Sequence, residues 1–322
     1  MAGKVPHDTG SRRIHGSCRV QPNRLTGELV SLRTVGRGAN QFAGMIWAMI
    51  NTLSMSTVLE RPPLPVRNAV PLPKAPPAST IEFIDVAFTA SNGGDVLSAL
   101  RARDPGAPFG YIVTPNVDHI VRLQRSRSDL WPVYRGAWMT LCDSRVLARM
   151  ASWIGVTLPV LPGSDLTARM FADVIDPDDR IAIVGGNAAA IDALTTRYGL
   201  RDVLHHNPPM GFIRNPVDIA RAVRFVVAAR ARYVFLAVGS PQQEMLAYHI
   251  ARVGGATGVG LCVGASLDFL TNVQVRAPEA MQRLAMEWLY RLAMNPRRLS
   301  RRYLVDGPEI FSIARQWSAR AR

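Results

Sequence analysis

Three times between residues 180 and 270, a short and almost wholly apolar run ends in a turn of small residues and passes into a helical period. RIAIVGG (180–186) leads into AAAIDALTTRYG, a helix that stops at a glycine. ARYVFLAVGSPQQE (231–244) and TGVGLCVGASLDFL (257–270) repeat the plan, and GYIVTPN (110–116) adds a further strand and turn, followed by a helix through Leu123. Strands that are apolar throughout are buried on both faces. Their alternation with helices predicts an α/β fold around a parallel sheet, with helices covering both of its faces. At 48% hydrophobic residues the chain can bury a core of that size. No repeat of 20–50 residues is visible.

The two ends of the chain have other compositions. Residues 1–39 are polar and Arg-rich, and residues 42–59 are apolar but broken by Gly44, Asn51, Thr52, Ser54 and Ser56. That stretch falls short of the roughly 20 apolar residues of a membrane-spanning helix. Three readings compete for it: a weak signal-like segment, an interfacial helix, or an upstream extension with the natural start at Met49 or Met55. The last is favoured. Residues 61–78 form a Pro-rich, extended linker. The expected organisation is therefore an N-terminal extension over 1–80, an α/β domain over 81–275 and a basic appendage over 276–322. The appendage carries ten Arg against four acids, with Trp288, Leu289, Tyr290 and Leu292 interleaved. Such a segment suits an anionic membrane surface, or else a helix packed on the domain with a solvated Arg face.

The formal net charge of +14 points to a polyanionic partner, and all but two of the basic residues are Arg. Arginine forks onto phosphate, although a skewed genome composition also yields Arg over Lys. No nucleic-acid recognition motif is present, and the excess charge is substantially C-terminal, so nucleic acid is not an expected partner. The three cysteines stand far apart with no CxxC pair, so no zinc or disulfide framework is suggested, and a reduced, cytoplasmic setting fits best.

In open α/β sheets, ligands bind at the carboxyl ends of the strands. Gly185-Gly186-Asn187, Gly239-Ser240-Pro241 and Gly264-Ala265-Ser266 all follow predicted strands. Small residues and free helix N-terminal N–H groups suit phosphate there, while any βα turn needs small residues too. No G-x-G-x-x-G or G-x-x-x-x-G-K-[ST] spacing occurs, which disfavours a dinucleotide oxidoreductase or a P-loop ATPase. Gln243 and Glu244 open the next helix, either as its cap or as readers of sugar hydroxyls. Thr114 and Asn116 end a strand, as substrate-orienting groups or turn formers. Asp143 precedes a helix expected over about 144–154, as its N-cap or as a general base, and Asp165 has the same ambiguity. Asp176-Pro177-Asp178 has the form of a metal-holding D-x-D. It precedes a strand, on the wrong end of the sheet, and reads as a turn. No metal or cofactor is then implied, and arginines must neutralise a leaving diphosphate.

TPNVDHIVRL, LCDSRVLARMASWIGV, LPGSDL, IVGGN, NPPMGF, VGSPQQE, CVGASLDFL, VRAPEAMQRLAMEWLYRL and NPRRLSRRY occur in that order over about residues 81–311. The series resembles the WecG/TagA/CpsF glycosyltransferase family. The resemblance implies a Rossmann-like domain with a basic helical C-terminal appendage. It implies inverting, metal-independent transfer from a UDP-sugar to a polyprenyl-diphosphate-linked sugar, in exopolysaccharide or cell-surface glycan synthesis. The enzyme would sit in the cytoplasm, peripherally on the inner face of the plasma membrane. The family's T-x-N falls on Thr114 and Asn116, its base on Asp143, its P-x-Q-E on Pro241, Gln243 and Glu244, and its R-A-P arginine on Arg276. Gly185, Gly186, Asn187, Gly239 and Gly264 would cradle the nucleotide, and Arg276, Arg297 and Arg301 would stabilise the diphosphate. Two departures stand out: Asp143-Ser144 replaces the common Asp-Gly, and Leu161 stands where an Arg often precedes Pro-Gly. A nucleotide-sugar-modifying enzyme such as an epimerase is the alternative. It would need a dinucleotide or a paired acid–base set that the sequence does not display. Donor, acceptor and oligomeric state, a homo-oligomer included, stay open.

Overall fold

Each apolar run becomes a strand of one sheet. The structure, a computed structural model, describes residues 79–271, 277–278, 281 and 286–320. The segments read over 1–78, and Arg276, lie outside the described residues. The first half contains β1 (Thr80–Phe83), β2 (Val86–Thr89), α1 (Gly93–Ala102), β3 (Gly110–Val113), α2 (Val117–Arg125), α3 (Trp131–Arg135), β4 (Met139–Thr140), α4 (Arg145–Ser152) and α5 (Gly163–Arg169). Then follow β5 (Arg180–Gly185), α6 (Ala188–Tyr198), β6 (Asp202–His206), α7 (Pro216–Ala229), β7 (Tyr233–Ala237), α8 (Gln242–Val253), β8 (Val259–Cys262) and α9 (Ser266–Leu270). The basic segment supplies α10 (Glu287–Met294), α11 (Pro296–Ser300), a π-helical turn over Arg301–Asp306 and α12 (Glu309–Arg320).

The six long-range strands lie in the order β4-β3-β8-β7-β5-β6, and every neighbouring pair is parallel. From β3 the chain moves outward to β4, whereas β8 is reached from the other half through β7. The outgoing connections diverge between β5, which leads outward to β6, and β7, which leads inward to β8, and in such sheets ligands bind beyond the carboxyl ends of the strands. Period-two alternation sorts the side chains between two layers. Ile181 and Ile183 of β5 pack with Leu97 and Leu100 of α1, Leu166 of α5 and Leu194 of α6. Ala182 and Val184 face the opposite layer, with Val223 of α7 and Leu246 and Ile250 of α8. These side chains are fully or almost fully buried, and each Val, Leu and Ile among them contributes about 1.5–3 kcal/mol by leaving water.

A third cluster lies beside the sheet. The β1–β2 hairpin sets Phe83, Ile84 and Phe88 against Ile120 of α2 and Leu147 and Met150 of α4, and α12 completes it with Ile310 and Ile313. Trp317 meets Phe83 edge-on, with centroids 5.6 Å apart. Part of the basic segment is thus packed into the fold.

Candidate active site

The turns read from the sequence all lie on the carboxyl edge of the sheet, and backbone geometry explains their composition. Gly185 has φ +88°, and a Cβ there would sit 2.8 Å from the Ala237 carbonyl oxygen. Only glycine allows β5 and β7 to approach so closely. Gly186, Gly239 and Gly264 also have positive φ. Asn187 caps α6, its side-chain oxygen accepting from Ala189 N at 2.9 Å.

Gln243 and Glu244 are buried inside this edge. Gln243 Oε1 accepts from Gly264 N at 2.9 Å, and its Nε2 donates to Glu244 Oε1 at 2.9 Å. The GSPQQE segment therefore welds the β7 turn to the β8 turn. Burial pushes the Glu244 carboxyl up, against hydrogen bonds from Gln243 and Ser240 and the charge of Arg122. Thr114 is also turned inward, its hydroxyl donating to the Cys262 carbonyl at 3.3 Å. Asn116 caps α2 by accepting from Asp118 N at 3.1 Å and His119 N at 3.4 Å.

A cavity of about 330 Å³ opens where this edge meets the basic segment. One wall carries Asn116, Asp118, Asp143, Ser144 and Arg145; the other carries Glu287, Trp288, Arg291, Arg302, Tyr303 and Phe311. Asp143 follows β4, and its backbone N–H donates to the Pro115 carbonyl at 3.0 Å, which locks the β4 and β3 ends together. Ser144 is the N-cap of α4, its hydroxyl accepting from Leu147 N at 3.2 Å. Asp143 sits one residue before that cap, on the cavity wall. Leu161, the second departure from the family pattern, is buried in the sheet core beside Leu97 and Leu166.

The appendage meets this wall with charge. Arg291 donates to Glu287 at 2.8 Å and lies over the Phe269 ring at 5.8 Å. Burial works to lower its pKa, but Glu287, Tyr303 and Asp143 outweigh that and raise it. Arg302 pairs with Asp118 at 3.2 Å. Trp288 and Tyr303 face each other with centroids 6.0 Å apart.

Of the arginines singled out in the sequence, Arg297 and Arg301 are exposed and outside the cavity lining, Arg301 pointing to Asp306 at 3.8 Å. Sequence reasoning passed over Arg145, Arg291 and Arg302, and over Asp118 and Arg122. The Asp118–Arg122 ion pair had a signal, because i,i+4 carboxylate–guanidinium spacing on a helix brings the two groups together. Gly185, Gly186, Gly239 and Gly264, expected from the sequence to cradle a nucleotide, share the sheet edge with the cavity but do not line it. The D-x-D residues form a turn ahead of β5, with Asp178 paired to Arg201 at 2.5 Å. No group of three or more His, Cys, Asp or Glu suited to a metal occurs among the described residues.

The cavity thus sets a carboxylate at the ends of β3 and β4 against arginines from a C-terminal helical segment. The glycosyl transferase WecG/TagA/CpsF family model matches residues 81–322, which takes in the whole sheet, both cavity walls and α12. The chain belongs to that family. It is a glycosyltransferase of surface-polysaccharide synthesis, and its fold is the Rossmann-like α/β arrangement the motif series implied.

Proposed function

We propose that this glycosyltransferase moves a hexose, an N-acetylhexosamine or its uronate from a UDP-sugar to a polyprenyl-diphosphate-linked sugar, with inversion. The acceptor hydroxyl oxygen attacks the anomeric carbon, and the bond to the UDP oxygen breaks. Asp143 takes the hydroxyl proton, and the electron pair leaves on the diphosphate. A carboxylate is a weak base in water, but the hydroxyl becomes acidic as the new bond forms. Negative charge grows on the diphosphate at the same moment. Arg291 and Arg302 are the cavity's answer to it, since preorganised guanidiniums stabilise such charge without reorganising. The reading rests on one observation above all: Asp143 and Arg291 line a single cavity at the sheet's carboxyl edge. Thr114 and Asn116 act from the strand end behind it, as backbone-fixing groups that hold the acceptor side in shape. The turns at Gly185, Gly186, Gly239 and Gly264 receive the nucleotide.

Arginines in place of a metal fit the D-x-D residues, which are committed to a turn and an Arg201 pair at the far end of the sheet. A peripheral position on the inner face of the plasma membrane fits the appendage. Leu304, Val305, Met294 and Phe311 are exposed apolar side chains among its arginines, a mixture that gains from both acyl chains and anionic headgroups. No helix among the described residues is long and apolar enough to cross a membrane.

Asp143→Asn is the deciding experiment. Turnover with a matched UDP-sugar and a prenyl-diphosphate sugar should fall by about 10²–10⁴-fold, while UDP affinity stays near that of the unsubstituted enzyme. Unchanged turnover would remove Asp143 as the base.

A further inference from the structure

One carboxylate ties together two regions far apart in sequence. Asp118 stands in the first turn of α2, directly after the T-x-N segment. Its Oδ2 accepts from Arg122 on the same helix and, at 3.2 Å, pairs with Arg302 of the appendage. Arg122 does not stop there, because its Nη1 donates to Ser240 Oγ at 2.9 Å. Ser240 belongs to the Gly239-Ser240-Pro241 turn, next to the buried Gln243–Glu244 pair that holds Gly264 N. A continuous polar chain therefore runs from the appendage, through one oxygen of Asp118, to the β7 and β8 turns. Asp118 is mostly buried, with its side chain 18% exposed, so water screens these contacts little. The Arg302 Nε–H is buried and hydrogen-bonds nothing among the described residues, which leaves a donor of that guanidinium unspent beside the cavity.

We propose that Asp118 is a positioning residue that aims Arg302 at the donor's diphosphate and holds it in register with the nucleotide turn. The inference rests on the reading of Arg302 as a diphosphate ligand. Two guanidiniums against one carboxylate leave a net charge of +1, so Asp118 fixes the direction of Arg302 without cancelling the charge that binds phosphate. Arginine on a π-helical turn, half-exposed and on a long flexible stem, has many rotamers to choose from. A fixed carboxylate removes that choice before the ligand arrives, and preorganisation of this kind appears as affinity.

The test uses UDP and UMP as calorimetric probes on the full chain, with thermal melting recorded for each variant. Arg302→Ala should weaken UDP binding by about tenfold or more, as expected for one charge-assisted hydrogen-bond donor, and leave UMP binding nearly unchanged. Asp118→Asn should reproduce most of that loss, again for UDP and not UMP. Asp118→Glu should restore part of it, because the longer carboxylate still reaches a guanidinium. Adding Asp118→Asn to Arg302→Ala should cost little more, since the group being positioned is already gone. A UDP loss with Arg302→Ala but none with Asp118→Asn would overturn the positioning role alone. Equal losses for UDP and UMP, or additive losses in the double variant, would also overturn it. No change with Arg302→Ala would overturn both the role and the diphosphate reading beneath it.

Discussion

On the sheet side of the molecule, the carboxyl edge is built from turns and capped helix starts. Gly185, Gly239 and Gly264 hold left-handed backbone, Asn116, Ser144 and Asn187 cap helices, and Gln243 and Glu244 are buried in hydrogen bonds. On the appendage side, the groups are long side chains on short helices, and α10 has no buried residue among those described. The first wall is shaped by backbone and the second by ion pairs. Apart from the carboxylates Asp118 and Asp143, substitutions should therefore divide: the first wall should answer in stability, the second in turnover.

Arg291→Ala is the largest expected effect under that division. Its partner Glu287 is only partly buried, and such pairs contribute at most about 1 kcal/mol, so the melting temperature should barely move. Turnover should fall by about 10²–10³-fold, as on removal of one preorganised charge donor. Gly185→Ala tests the opposite wall. A methyl group forced against the Ala237 carbonyl at a positive φ should cost about 2–4 kcal/mol of stability in urea denaturation. UDP binding should survive wherever the variant remains folded.

A third measurement joins the walls. His119 is buried behind Asp118, with Tyr134 Oη 3.1 Å from its Nδ1. Burial, then Arg122 and Arg302, hold its pKa well below the usual histidine value. The folded imidazole stays neutral while the unfolded one takes a proton near pH 6.5. Stability is therefore full above that pH and falls below it, by up to about 1.4 kcal/mol per pH unit. His119→Gln should flatten the slope between pH 7 and pH 5. Because burial is the main cause, removing Arg302 should flatten it only slightly, a change that reads out the appendage's contact with the sheet side. An unchanged slope in His119→Gln would assign the acid sensitivity elsewhere.

The sheet was legible because its evidence is periodic. Strands buried on both faces announce themselves as unbroken apolar runs, and the turns between them need small residues at known places. Asp143 was legible only as a choice between cap and base, since both need a carboxylate before a helix. Ser144, at the position where the family commonly has glycine, turned out to be the cap. The appendage was harder. NPRRLSRRY offers adjacent arginines, and choosing which one faces the cleft needs the helical phase. The chain there winds as a π-helix over Arg301–Asp306, which breaks the 3.6-residue period on which phase depends. Arg302 faces the cavity, and its neighbour Arg301 points to solvent. The bonds of Asp118 to Arg302, and of Arg122 to Ser240, cross more than a hundred residues, so local pattern could not contain them.

The docking of α12 sets an order of events during synthesis. Ile310 and Ile313 close a core whose other members, Phe83, Phe88, Ile120 and Leu147, are made more than 150 residues earlier. A ribosome adding about 5–20 residues per second therefore spends roughly 8–30 seconds with that hydrophobic seat open. Of the cavity arginines, Arg291 and Arg302 precede α12 in the chain, and the wall they share with Phe311 of α12 is complete only when that helix lands. Under the proposed mechanism, Asp143 is made early and the wall of charge facing it is completed last.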